Sequence, residues 1–178
     1  MGLFKGVEGA KGSFDAAYMG EGHYLCRIDR LKCSETRTKD GFLAVEMTVL
    51  HTFPDGDGDA SKWHKPGAAV SHLMMTKHDS FLGNVKAMIA NLLGCHESEV
   101  SEKDCDNASG DGQPMAGMVA EIKARGILTR AQKPFTKITY VREFPASELQ
   151  DTLDAKTLEI YFPGDTLDKM IEREAEGS

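Results

Sequence analysis

The 178-residue sequence predicts a mainly β fold of the α+β kind, with five strands, one helix between the third and fourth, and an acidic C-terminal tail. Three observations predict it. Segments in which apolar and polar residues alternate recur between Gly22 and Phe144. Ahead of the tail, one stretch carries a clear helical stripe, Asp79 to Leu93. The charge is also split: Met1 to Phe144 holds 18 Lys/Arg against 19 Asp/Glu, whereas the last 34 residues hold 3 against 9. Most of the net charge of −7 therefore sits in the tail.

Taking the elements in order, residues 1–21 read as a Gly-rich arm with little structure of its own, in which Phe4, Phe14 and Tyr18 either pack on the body, the favoured role, or contact a ligand. Gly22 to Cys33 is the first strand. Tyr24, Cys26 and Ile28 share one face and Leu25, Arg27 and Asp29 the other, and the phase then slips so that Leu31 and Cys33 turn apolar. A bulge near Asp29-Arg30 accounts for the slip and lets the strand bend. Ser34 to Gly41 is a polar hairpin loop ending in Asp40-Gly41. Phe42 to Phe53 is the second strand, with Leu43, Val45, Met47 and Val49 inward and Phe42, Ala44, Glu46 and Thr48 outward.

Pro54 to Gly67 is a long loop, acidic at Asp55, Asp57 and Asp59 and basic around Trp63. Ala68 to Met75 is the third strand. The helix follows, with Asp79 as its cap and Phe81, Leu82, Val85, Met88, Ile89, Leu92 and Leu93 as its stripe. Gly94 sits where a C-terminal glycine belongs. Cys95 to Gln113 reads as an exposed acidic excursion. Met115 to Leu128 and Gln132 to Phe144 are the fourth and fifth strands. Ser147 to Leu158 and Asp165 to Glu174 are candidate short helices of the tail.

Strand, strand, strand, helix, strand, strand is the order of the five-stranded OB barrel, a fold that binds oligonucleotides or oligosaccharides. The expected division is an arm over 1–21, an OB-like domain over 22–144 and a tail over 145–178. An α+β roll fits the same order of elements. Composition narrows the classes further. With 40 % hydrophobic and 28 % charged residues the chain reads as a soluble globular protein. No apolar run approaches the roughly 18–20 residues of a membrane span, and Met1 to Gly6 has no secretory character. A cytoplasmic protein without a membrane partner is expected. Cys26, Cys33, Cys95 and Cys105 form no CxxC pair, and the six His are scattered, so no metal, disulfide framework or cofactor is expected.

Binding a single strand without reading its sequence needs cations along the phosphates and flat rings for the bases. Leaving out the excursion Glu97 to Asp111 and the tail, the body holds 17 Lys/Arg against 13 Asp/Glu. The candidate cations are Arg27, Arg30 and Lys32 on the first strand and Arg37 and Lys39 in its hairpin. Lys62 and Lys65 flank Trp63. Lys123, Arg125, Arg130, Lys133 and Lys137 lie on and between the last two strands. The candidate rings are Trp63, Phe42 and Tyr140. Trp63 either offers a stacking face or folds back to plug the barrel end. Phe135 and Tyr140 lie on opposite faces of the fifth strand, so one of them belongs to the core.

Several stretches carry a resemblance. Gly22-His-Tyr-Leu-Cys-Arg-Ile28, the charged hairpin after it, the Leu73-Met-Met-Thr76 strand end feeding Phe81-Leu82-Gly83, and the close at Leu92-Leu93-Gly94 together resemble small bacteriophage single-stranded-DNA-binding proteins. The resemblance covers about Gly20 to Phe144. It implies an OB fold, sequence-nonspecific binding of single-stranded DNA during phage replication, recombination or repair, and an acidic tail that docks replication or recombination proteins. A homodimer is compatible with it. The tail departs from the best-known bacterial form: it has no Gly/Pro/Gln-rich linker and ends in Glu174-Ala-Glu-Gly-Ser178 instead of Asp-Phe.

Other classes fit less well. No phosphate-binding glycine loop, GxSxG elbow or HExxH stretch is present, so an enzyme is not expected. Asp55 to Asp59 looks like the start of a calcium loop but lacks its closing Glu. A virion structural or assembly β-barrel is the second reading. It needs no basic groove and predicts outward apolar patches and self-association. A duplex-DNA regulator would need a basic recognition helix, whereas the Asp79–Leu93 helix has one Lys.

Overall fold

The computed structural model of the chain describes residues 16–35 and 38–177. The described residues divide into two compact units, one ending at Glu143 and one beginning at Phe144. The first is built on β1 (Ala17–Tyr18), β2 (Gly22–Glu35), β3 (Gly41–Thr52), β4 (Ala69–Met75), α1 (Phe81–Leu93), α2 (Glu102–Ala108), β5 (Val119–Leu128) and β6 (Pro134–Glu143). All six strands join one sheet in the order β1-β4-β3-β2-β5-β6, antiparallel except for β1 on β4.

The sheet curls into a half-barrel. Its concave face carries one core, with Tyr24, Cys26 and Ile28 from β2, Val45, Met47 and Val49 from β3, and Ala120, Ile122 and Ala124 from β5. The alternation that predicted these strands is thus the alternation of the two sheet faces. The slip in β2 is a real bulge: the pairing with β3 shifts between Ile28 and Arg30, and a second shift falls between Leu25 and Cys26. Two irregularities in one strand supply the bend that a curled sheet requires. No β4–β6 ladder forms. Instead α1 packs against both strands, Asn91 Nδ2 donates to the Tyr140 carbonyl at 2.9 Å, and the His72 ring meets the Tyr140 hydroxyl at 2.7 Å.

The predicted count of five strands and one helix is corrected to six strands and five helices among the described residues. The extra strand is β1, within the stretch read as an arm: Ala17 and Tyr18 lie beside Val70 and Ser71, and Met19 N–H donates to the Ser71 carbonyl at 3.0 Å. Phe4 and Phe14 lie outside the described residues. The acidic excursion is ordered. Ser101 and Asp104 form a reciprocal capping box at the start of α2, and Val100, Ala108 and Met115 reach the core. The Gln113 amide bridges the backbone N–H and carbonyl of Leu31, tying the segment to the bulged part of β2. Helix α1 matches its predicted span and ends on Gly94 at φ 70°. Its cap position falls to Ser80, whose side chain makes no capping bond, and Leu82 and Leu93 lie outside the buried stripe.

The second unit holds three helices where two were expected: the stretch read as one helix over Ser147–Leu158 breaks at an extended Leu153 into α3 (Ala146–Thr152) and α4 (Ala155–Tyr161), and α5 (Thr166–Glu176) follows. It buries Leu149, Leu153, Phe162 and Leu167. Ser147 N–H donates to the Glu174 carboxylate at 3.0 Å, closing α3 against α5. Among the described residues no helix is long and apolar enough to cross a membrane.

Candidate nucleic-acid interface

The register divides the predicted cations between two ends of the sheet. β2 is 14 residues long, roughly 40 Å at the usual rise per residue. At its start, Gly22 lies beside Ala124 of β5 and Tyr24 beside Thr52 of β3. The β5–β6 hairpin and the 53–68 loop therefore both emerge at this end. The hairpin between β2 and β3, which carries Lys39, is at the other. Arg37 lies outside the described residues.

Of the predicted residues at or toward that far end, Arg30 is exposed opposite Glu46 and Lys32 is half-buried. Lys39 is exposed at φ 69°, and Arg27 is paired with Asp29 at 2.9 Å. At the near end Lys62, Lys65, Lys123, Arg125, Arg130, Lys133 and Lys137 are all exposed. The structure thus brings seven of the predicted cations to one end and leaves the first-strand group apart from them.

The rings are distributed differently from the prediction. Phe42 is only 5 % exposed; on the β3 face that it shares, Ala44 and Leu50 are buried too and Glu46 and Thr48 half-buried, so outward parity does not mean solvent. Tyr140 is 4 % exposed, with its hydroxyl on His72. Burial drives the Tyr140 hydroxyl well above its ordinary pKa and the His72 imidazole down to about 4. Trp63 is half-buried, packs on the core and donates its indole N–H to the Asp57 carbonyl at 2.7 Å. Of the fifth-strand pair, the outward ring is Phe135, at 56 % exposure.

The loop that carries Lys62 and Lys65 is fastened to the strands by a network that sequence reading missed. His23, buried on β2, places Nδ1 2.7 Å from Asp55 and Nε2 2.8 Å from Glu121 of β5. Arg142 of β6 holds the other Glu121 oxygen at 2.9 Å. Phe53 lies over the His23 ring, with centroids 4.2 Å apart. The hydrogen bond from His23 holds the Asp55 carboxyl below its usual range. At Glu121 burial acts upward, but the bonds from Arg142 and His23 prevail and the carboxyl also ends below its usual range. Further along the loop, Asp57 pairs with Arg125 at 3.3 Å. The His64 imidazole accepts from Gly20 N–H at 2.9 Å. These partners are far apart in sequence, so no local pattern announces them. Among the described residues no cluster of His, Cys, Asp and Glu is arranged to hold a metal ion.

The β5–β6 hairpin runs on past the end of its pairing with β2, with the Glu21 carboxylate against Gly126 and Asp57 on Arg125. Pairing of β5 with β2 ends at Ala124, but β5 continues with β6 through Arg125↔Lys137, Gly126↔Thr136, Ile127↔Phe135 and Leu128↔Pro134. From Ile122 to Val141 the chain has five Lys/Arg and no Asp or Glu. Ile127, Leu128 and Phe135 are exposed on the same arm. A two-stranded ribbon with cations and apolar side chains in contact with solvent can hold a polyanion and cover flat apolar faces at once.

No protein-family model matches the chain, and no curated protein matches it.

Proposed function

We propose that this chain is a sequence-nonspecific single-stranded-DNA-binding protein built on an OB-like barrel, acting in phage DNA replication, recombination or repair within the host cytoplasm. The observation that carries the reading is the β5–β6 arm: five cations without a single carboxylate from Ile122 to Val141, in a chain whose net charge is −7. In OB barrels the hairpin joining the last two strands borders the ligand groove, and Lys62 and Lys65 emerge at the same end. Phosphate neutralisation by these side chains supplies most of the affinity, and stacking supplies the preference for unpaired strands. The acidic C-terminal unit serves replication or recombination partners.

Anisotropy of a labelled ~30-nucleotide oligo(dT), titrated over a range of salt and compared with a duplex of equal length, tests the reading. Single-strand binding that weakens steeply with salt supports it; absence of binding at low salt rejects it. The second reading, a non-enzymatic virion or assembly β-barrel, draws on one observation, the exposed Ile127, Leu128 and Phe135. It predicts concentration-dependent self-association in sedimentation without any DNA affinity.

A further inference from the structure

We infer that Phe135 is a stacking platform for an unpaired base, working on one face of the β5–β6 arm with Ile127, Arg125 and Lys137. The inference rests on the single-strand reading proposed above and assigns its base-contacting residue. By register, Arg125, Ile127, Phe135 and Lys137 share a face, two successive cross-strand pairs about 7 Å apart along the ribbon. One pair is cationic, its Arg125 shared with Asp57 at 3.3 Å and its Lys137 exposed, and the next is apolar. Phosphate and base of a single strand ask for that combination: a positive group for the backbone and, one step on, a flat ring.

The alternatives among the rings narrow the choice. Trp63 has its N–H occupied and its ring against the core, and Phe42 and Tyr140 are buried. Tyr18 is exposed, but the strand it pairs with, β4, carries no Lys or Arg. Phe135 therefore combines exposure with cations on both strands of its arm. Duplex DNA offers such a ring little, because its bases already stack on one another. A lipid surface fits less well: the tip of the arm, Thr129 to Lys133, is polar and carries Arg130 and Lys133, so insertion would bury charge before it buried Phe135. A second copy of the arm would set like charges against each other.

The test compares wild type, Phe135→Ala, Phe135→Leu and Phe135→Tyr on two ligands, oligo(dT) and an abasic strand of equal length. The expected result is an affinity for oligo(dT) lowered about 5- to 100-fold in the Ala and Leu variants and kept in the Tyr variant, with binding to the abasic strand unchanged in all four. The Leu variant keeps apolar bulk without a flat face, so its loss cannot be put down to a collapsed arm. Equal affinity of all four proteins for oligo(dT), or equal losses on both ligands, overturns the stacking role and leaves the single-strand reading standing. Failure of wild type to bind either strand removes that reading itself. Capture of wild type by phosphatidylserine/phosphatidylcholine vesicles but by neither strand would replace it with a membrane surface.

Discussion

The indole of Trp63 lies half-buried on the core, with its N–H on a carbonyl of its own loop. Trp63→Ala is therefore expected to lower unfolding free energy by on the order of 3 kcal/mol, while the affinity of the folded fraction for oligo(dT) stays near wild type; a large affinity loss at unchanged urea midpoint would return Trp63 to the interface. His72 is expected to make the fold sensitive to acid. Burial holds its folded pKa at about 4, below the 6.5 of a free imidazole, so the unfolded chain binds the proton first as pH falls. Its contribution is complete above about pH 6.5 and is lost progressively toward pH 4, up to about 3 kcal/mol. Urea unfolding of wild type at pH values across this window should show that loss, and His72→Phe should flatten it. An equally steep profile in the variant would assign the acid sensitivity to other groups.

The 53–68 loop is shaped by the way it lies on β2. A Cβ on Gly56 would stand 2.7 Å from the His23 amide nitrogen and 2.9 Å from Gly22 Cα, backbone atoms that cannot turn aside. Gly56→Ala is expected to cost about 1–3 kcal/mol and to speed hydrogen exchange in the loop ahead of the sheet; exchange at the wild-type rate would contradict the close packing. This loop also marks the limit of sequence reading. The strands, the β2 bulge and α1 were legible because their signals are local: alternation, a phase slip, a stripe closed by Gly94. The loop's order was not, because His23, Asp55 and Glu121 lie 32 and 98 positions apart along the chain. The ordering of the acidic excursion was missed, although the Ser101–Asp104 capping box is a local signal for it. Phe42 was misread because parity tells which face a residue occupies, not whether that face is covered. On β6 the same parity separated Phe135 from Tyr140 but did not say which of them was outside.

At the scale of the whole molecule, charge is the organising quantity. The arm is positive and the C-terminal unit, with 3 Lys/Arg against 9 Asp/Glu from Pro145 onward, is negative. An acidic segment on the same chain is expected to compete with nucleic acid for cations, an effect that salt weakens. Deleting Pro145–Ser178 is expected to tighten oligo(dT) binding several-fold at low salt and to have little effect at high salt; unchanged or weaker binding at low salt would dismiss the competition. The most direct test of the central claim, that the β5–β6 arm is the phosphate-binding surface, is the salt dependence of oligo(dT) affinity in wild type and in a variant carrying Arg130→Gln, Lys133→Gln and Lys137→Gln. Each phosphate neutralised on a single strand contributes about 0.7 to the slope of log K against log salt. A steep slope is expected in wild type and one shallower by about 2 in the variant. A slope unaltered by the three substitutions, or no binding by wild type at low salt, would contradict it.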